Sequence, residues 1–165
     1  MDVALPALGF NDRGQIMIAA VDPGREKFGW VICDDTGELI ISGVSPVEEV
    51  ERWALALSSA DHEYLESIAL ETRGALQRGE RPFPVLAGSG TGSGHVIEMM
   101  KRAGLEVLTV PEENTTLGGR ALFWKIHPPR GLARLLPRSL AVPWRSADDM
   151  AAWCLVLEHL GIQKS

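Results

Sequence analysis

The chain begins its ordered pattern with short apolar runs separated by turn residues. The runs 16–22, 28–34 and 38–44 are mostly apolar, and tight turns containing Pro-Gly and Asp-Thr-Gly separate them. Runs of this length joined by tight turns predict three strands of an antiparallel meander. Because the first run is almost entirely apolar, we expect it at the centre of the sheet, buried on both faces.

The pattern changes to a helical period after residue 45. It predicts a helix from Pro46 to about residue 60, and the segment 61–79 is also interpreted as mostly helical, although "SIALE" within it could form a short strand. The remaining elements are predicted as strand 83–87, helix 94–103, strand 105–110, helix 115–126, a Pro-rich loop over 127–144 and helix 146–161. This alternation of strands and helices indicates a parallel section of the sheet.

These elements predict an α/β fold, with a mixed sheet built from a three-stranded antiparallel meander plus parallel βαβ strands and flanked by helices. A length of 165 residues is typical of one domain, which we expect over 15–165 after a flexible leader at 1–14. The absence of an apolar run of about 18 residues argues against a transmembrane helix, and the N-terminus lacks the pattern of a secretory signal. Cys33 and Cys154 lie among apolar residues, which favours buried thiols in a cytoplasmic protein.

Charge is unevenly distributed along the chain. The formal net charge is −6, yet no Asp or Glu occurs between Asn114 and Ala147. This acid-free basic segment predicts a surface that attracts phosphates, with a solvated face or a protein-binding site as alternatives. Trp124 and Trp144 flank it, and each either stacks on bases or packs in the core. Nucleic-acid contacts are expected from Arg120, Lys125, Arg130, Arg134 and Arg138.

Acidic residues stand at the ends of several predicted elements. Asp22 ends the first strand, Glu112 and Glu113 follow the strand 105–110, and Asp148 and Asp149 open the last helix. Carboxylates that converge from different elements are what a two-metal phosphodiesterase site requires, and Mg²⁺ prefers oxygen ligands. Each acid also has an ordinary structural interpretation, as a turn residue, an exposed loop acid or an acid at a helix N-terminus.

A glycine-rich stretch, "GSGTGSGH" at 88–95, lies between a predicted strand and a predicted helix. It lacks the lysine of a phosphate-binding P-loop, and its glycines do not match the dinucleotide-binding spacing. Its main-chain amides could meet a phosphate of a nucleic-acid backbone, or the stretch is a plain tight turn.

Three stretches, "VDPGREKFGWVICD", "PEENTTLGGR" and "DDMAAWCLVL", resemble motifs of the RuvC/YqgF branch of the ribonuclease H-like nucleases, and the resemblance is nearer to YqgF-like proteins. It covers about residues 16–161 in unbroken order and implies the ribonuclease H-like fold. It further implies that Asp22, Glu112 and Asp148 are catalytic and bind Mg²⁺ or Mn²⁺, and that Lys27 and Arg120 are basic site residues that contact nucleic acid. The alternative acids are Glu71, Glu113 and Asp149.

The resemblance implies a metal-dependent endonuclease that hydrolyses phosphodiester bonds in structured nucleic acid. The substrate would be a DNA junction, as for a Holliday-junction resolvase, or a precursor ribosomal RNA. A resolvase would need a homodimer to cut two strands symmetrically. Pro111 and Glu113 flank Glu112 where the family pattern has an acid and commonly a basic residue, so a non-catalytic domain that binds nucleic acid or protein is the alternative. A nucleotide-binding domain of the actin type is less favoured, because such proteins need two domains.

Overall fold

A computed structural model describes residues 16–76, 79, 81–113, 115–137 and 140–162. The expected leader at 1–14 and Arg138 lie outside these ranges. The strands are β1 (Met17–Pro23), β2 (Lys27–Asp34), β3 (Leu39–Pro46), β4 (Glu71–Thr72), β5 (Val85–Gly88) and β6 (Val107–Val110). The α-helices are α1 (Val50–Ser59), α2 (His62–Ser67), α3 (Ser93–Arg102), α4 (Thr115–Ile126) and α5 (Asp148–His159), and a 3-10 turn forms at Gly131–Leu135 in the loop before α5.

The strands form one six-stranded sheet in the order β4-β3-β2-β1-β5-β6. The pairs β1–β2, β2–β3 and β3–β4 are antiparallel, whereas β5 is parallel to β1 and β6 is parallel to β5. This arrangement confirms the mixed sheet that the sequence predicts, with the meander on one side of β1 and the parallel strands on the other. The strand order and directions agree with the fold that the motif resemblance implied.

Helices cover both faces of the sheet. Because successive side chains of a strand point to opposite faces, Met17, Ala19 and Val21 of β1 pack in the core beneath α1, α2 and α3. Ile18 and Ala20 of the same strand pack in a second core beneath α4 and α5. A strand buried on both faces must be apolar at every position, which explains the uniform first run of the sequence.

The segment 61–79 departs from the mostly helical prediction. Helix α2 has only six residues, and the chain after it pairs with the edge of β3. Glu71 lies opposite Ser42, and the Arg73 N–H donates to the Ile40 carbonyl at 2.8 Å. The helical pattern yields here because an open strand edge offers hydrogen bonds that a short isolated helix cannot match.

Both cysteines are buried, and neither forms a disulfide. Burial raises the pKa of the Cys33 thiol well above its usual range, because the thiolate would lose its hydration. The thiol is therefore a core residue rather than a reactive one. No helix within the described ranges is long and apolar enough to cross a membrane.

Candidate active site

Asp22 lies at the end of the central strand β1 and on the face covered by α4 and α5. It continues the row of Ile18 and Ala20, whose side chains point to that face. The turn that follows is closed by a hydrogen bond from the Gly24 N–H to the Lys27 carbonyl at 3.0 Å. A half-buried carboxylate is therefore held at a fixed position by a strand with neighbours on both sides.

Asp148 approaches Asp22 over a glycine of the neighbouring strand. Gly29 is the cross-strand partner of Asp22 on β2. A Cβ atom at Gly29 would overlap the main chain of Asp148 and the nitrogen of Asp149. The first turn of α5 thus lies directly on β2, and this close approach requires glycine. It brings the Asp148 side chain to the cleft that Asp22 also lines.

Glu112 reaches the same site from the loop after β6, and two glycines make room for it. A Cβ atom at Gly88 or at Gly90 would overlap the Glu112 carboxylate. The glycine-rich stretch that contains Gly88 and Gly90 is fixed to β6 by the Ser89 N–H, which donates to the Val110 carbonyl at 3.0 Å. The first part of the glycine-rich stretch, which the sequence suggested as a phosphate contact, therefore packs against the Glu112 side chain.

One oxygen of the Glu112 carboxylate, Oε1, is buried without a hydrogen-bond donor from the described residues. A buried acceptor without a partner is costly, by about 1–3 kcal/mol. Such an atom, next to other carboxylates, is suited to a cation.

The three acids interact electrostatically. The pKa of Asp22 is raised to about 7, first by burial, then by the charge of Glu112 and a hydrogen bond to it, and last by the charge of Asp148. Asp22 and Glu112 therefore lie within hydrogen-bonding reach, and Asp148 acts through its charge alone. In the part of the chain that the structure describes, no three His, Cys, Asp or Glu side chains are already arranged around one metal position.

Lys27 and Ser146 hold Asp148. The Lys27 ammonium lies 3.0 Å from Asp148 Oδ2 and donates to Ser146 Oγ at 2.8 Å, and the Ser146 hydroxyl donates to the same carboxylate oxygen at 2.6 Å. The Lys27 and Asp148 side chains are 54% and 36% exposed. Because solvent screens an ion pair this exposed, the attraction between Lys27 and Asp148 is weak, and another cation can replace Lys27. Lys27, expected as a nucleic-acid contact, thus lies at the site as a partner of Asp148.

Two of the alternative acids, Glu71 and Asp149, belong to a different network. Arg145 donates to both carboxylate oxygens of Asp149, at 2.9 and 3.1 Å, and to Glu71 at 2.8 Å. Asp149 is completely buried and also accepts from Ser42 Oγ at 2.7 Å, while His127 contacts Glu71. Burial alone would raise the pKa of Glu71, but the hydrogen bonds from Arg145 and His127 hold it below its usual range. Both carboxylates are already paired with Arg145 within the protein.

A cleft of about 300 Å³ opens beside Asp22 and Asp148. Arg120 and Arg145 line it, together with Val142 and Pro143 of the loop before α5. The Arg120 guanidinium donates to the Ala141 carbonyl at 2.9 Å, so part of its donor capacity supports the loop. The other expected nucleic-acid contacts that are described, Lys125, Arg130 and Arg134, are exposed, and so is Glu113.

Sequence reasoning missed four residues that shape the site. Gly29, Gly88 and Gly90 create the space for Asp148 and Glu112, and Arg145 pairs with Glu71 and Asp149, the acids that would otherwise compete. The signal for Gly29 was a glycine inside a strand pattern, which often marks the close approach of another main chain. Nothing in the sequence pairs Gly88 with Glu112 or Arg145 with Glu71, since these contacts join distant parts of the chain.

Comparisons with known proteins found similarity in structure only. No protein-family model matches the chain, and no curated protein sequence matches it. A structure of Thermus thermophilus RuvC has a TM-score of 0.46 and 12% identity, covering 88% of this chain and 94% of RuvC. The ethanolamine utilization protein EutJ from Carboxydothermus hydrogenoformans has a TM-score of 0.37 and 17% identity, covering 64% of this chain and 40% of EutJ. At these levels of similarity, neither protein transfers an activity to the cleft.

Proposed function

We propose that the protein is a divalent-metal-dependent endonuclease that hydrolyses phosphodiester bonds in structured nucleic acid. The observation that carries this proposal is the approach of Asp22, Glu112 and Asp148 from three different elements to one edge of the sheet. Two of them line or contact a cleft that also presents arginine side chains. The carboxylates could bind a metal ion, and the guanidinium groups beside them could bind the phosphates of a nucleic-acid backbone.

The donor set fits Mg²⁺ or Mn²⁺. All three side chains offer hard oxygen ligands, and one Glu112 oxygen is buried without a hydrogen bond from the described residues. The pKa of Asp22 is raised first by burial and then by the neighbouring carboxylates, and a bound cation would offset both effects by favouring the charged carboxylate. When bound, such a metal activates water and stabilises the leaving oxygen. Asp22, Glu112 and Asp148 would hold the metal ion, and Asp148 would give up its ion pair with Lys27 to bind it.

The substrate class follows from the distribution of charge. The segment between Asn114 and Ala147 contains no acid, and the exposed Lys125, Arg130 and Arg134 lie on α4 and on the loop beside the cleft. Contacts of this kind bind DNA or RNA through the phosphates and make binding strongly dependent on salt. We expect a DNA junction or a structured precursor RNA in the cytoplasm, where the two buried thiols would stay reduced.

A cleavage assay tests the proposal. The wild type and the Asp22→Asn variant are incubated with a four-way DNA junction, a single strand and a hairpin RNA, each in Mg²⁺ and in Mn²⁺. Glu113→Gln is the matched control, because Glu113 is an exposed acid adjacent to Glu112. We expect cleavage of at least one substrate by the wild type and by the control, and none by Asp22→Asn.

Binding without cleavage would identify the alternative function. If the wild type and Asp22→Asn bind the same substrates and neither cuts any of them, the endonuclease proposal fails. The fold would then serve as a non-catalytic domain that binds nucleic acid, with Lys27 as the permanent partner of Asp148.

A further inference from the structure

The loop before α5 exposes an unusual number of large apolar side chains. Those more than half exposed in this part of the chain are Leu132, Leu135, Leu136, Leu140, Val142 and Trp144. An exposed apolar patch of this kind marks a binding surface. It lies within the acid-free basic segment, so its ligand must combine apolar faces with negative charge.

Trp144 is the best-supported part of this surface. Its ring is braced by Phe123, Trp124 and His127, with centroid separations of 4.7, 5.9 and 5.0 Å and interplanar angles of 69°, 73° and 71°. None of these rings lies parallel to the indole, and 67% of Trp144 is exposed. The indole is therefore fixed in place before any ligand arrives and can accept a flat ring in a parallel stack.

The position of Trp144 relates it to the acidic site. Its neighbours on both sides, Pro143 and Arg145, line the cleft that contains Asp22 and Asp148. The loop is tied to α4 by Arg120 and Trp124, which both donate to the Ala141 carbonyl, at 2.9 and 3.4 Å. A ligand stacked on Trp144 would therefore extend toward the carboxylates.

We propose that Trp144 stacks on an unpaired base of the nucleic acid that occupies the cleft. A nucleotide is the ligand that joins a flat aromatic ring to a phosphate, and the surrounding arginines attract the phosphate. The base must have one face free of stacking neighbours, as an unpaired base in a loop or bulge does, because a base within a continuous helix has both faces covered. This inference rests on the proposed function and restricts its substrate to nucleic acid with an unstacked base next to the bound phosphate.

Intrinsic fluorescence offers a selective test. The chain has five tryptophans, and all are described; Trp30, Trp53, Trp124 and Trp153 are buried, which leaves Trp144 as the exposed one. Stacking on a base should therefore quench the signal of Trp144 in particular. The probes are two hairpins of the same sequence, one with an unpaired base and one with an abasic spacer at that position. Ca²⁺ replaces Mg²⁺ and Mn²⁺ so that binding is measured without cleavage.

The wild type is expected to show quenching with the unpaired base and little with the abasic hairpin. Trp144→Ala should bind the unpaired-base hairpin about tenfold or more weakly, whereas Trp144→Phe, which keeps a ring, should recover most of the affinity. Leu55→Ala is the matched control, since Leu55 is a half-exposed apolar residue of α1 on the opposite face of the sheet, and this variant should bind like the wild type. Melting temperatures near that of the wild type would show that the variants are folded.

Two outcomes overturn the inference, and they differ in what they mean for the function. If the wild type binds both hairpins equally without quenching, and Trp144→Ala binds as tightly as the wild type, stacking is wrong while nucleic-acid binding stands. If no hairpin or junction binds at all, the stacking and the nucleic-acid substrate of the proposed function fail together.

Discussion

Gly29 lies against the main chain of Asp148, with no space for a side chain between them. We therefore predict that Gly29→Ala pushes the first turn of α5 away from β2. Overpacking of this kind costs about 1–3 kcal/mol, which urea denaturation can measure. The same variant should lose its response to Mn²⁺, because Asp148 moves with the helix. Unchanged stability would show that α5 does not approach β2 so closely.

Gly90→Ala tests whether the glycine-rich loop accommodates Glu112. The added methyl group would overlap the Glu112 carboxylate, so we expect the side chain to swing out and Mn²⁺ binding to weaken at least tenfold. Gly94→Ala is the control from the same stretch. A Cβ atom at Gly94 meets nothing within 4 Å, and alanine there should stabilise α3 by about 0.5–1 kcal/mol.

A double-mutant cycle separates this contact from general effects on the loop. If Gly90→Ala acts through Glu112, its effect on the free energy of unfolding, measured by urea denaturation, should disappear once the Glu112 side chain has been shortened to Ala. An equal effect in both backgrounds would contradict the contact.

Asp148 and Asp149 should behave differently although they are adjacent. Asp149→Asn breaks a buried interaction with Arg145 and Ser42, and we expect it to destabilise the fold by about 3–5 kcal/mol. Asp148→Asn removes only an exposed ion pair with Lys27, so its effect on stability should stay below about 1 kcal/mol while Mn²⁺ binding is lost. Denaturation and Mn²⁺ titration of both variants check this, and a reversed pattern would exchange the two roles.

The pKa of Asp22 predicts how stability depends on pH. In the folded protein this carboxyl keeps its proton up to about pH 7, whereas its ordinary pKa is 3.8. Between these values the folded state holds more protons than the unfolded state, so this group lowers stability as pH rises from about 4 to 7. Without metal, Asp22→Asn should therefore melt at least about 2–4 °C above the wild type at pH 8, and the difference should vanish near pH 4.

Divalent cations should reverse this effect, because binding requires the deprotonated carboxylate. The stabilisation of the wild type by Mn²⁺ should grow as pH rises from 6 to 8, and Asp22→Asn should show little of it. A cation effect that is independent of pH would mean that Asp22 is not a ligand.

Much of the fold could be predicted from the sequence because its signals are local. The apolar runs predicted β1, β2 and β3, and the helical period predicted α4 with the bounds 115–126 that the structure has. The sequence offered a short strand only as an alternative at 67–71, and the structure has the two-residue strand β4 at Glu71–Thr72 instead, because this strand depends on the open edge of β3 rather than on its own residues.

The site was less predictable because the choice between acids depends on distant partners. Sequence alone left Glu71 and Glu112 as alternatives, and likewise Asp148 and Asp149. In the structure, Arg145 pairs with Glu71 and Asp149. Glycines from distant parts of the chain instead leave space for the other two acids: Gly29 for Asp148, and Gly88 and Gly90 for Glu112. Such pairings between residues far apart in the chain leave no periodic pattern.

We propose that Asp22, Glu112 and Asp148 form one cation site. Titration with Mn²⁺, followed by electron paramagnetic resonance of the free ion, measures this directly. We predict that the wild type and Glu113→Gln bind Mn²⁺ alike, and that Asp22→Asn, Glu112→Gln and Asp148→Asn each abolish the tight binding. A wild type that binds no Mn²⁺, or three variants that bind it as the wild type does, would show that these acids do not form a cation site.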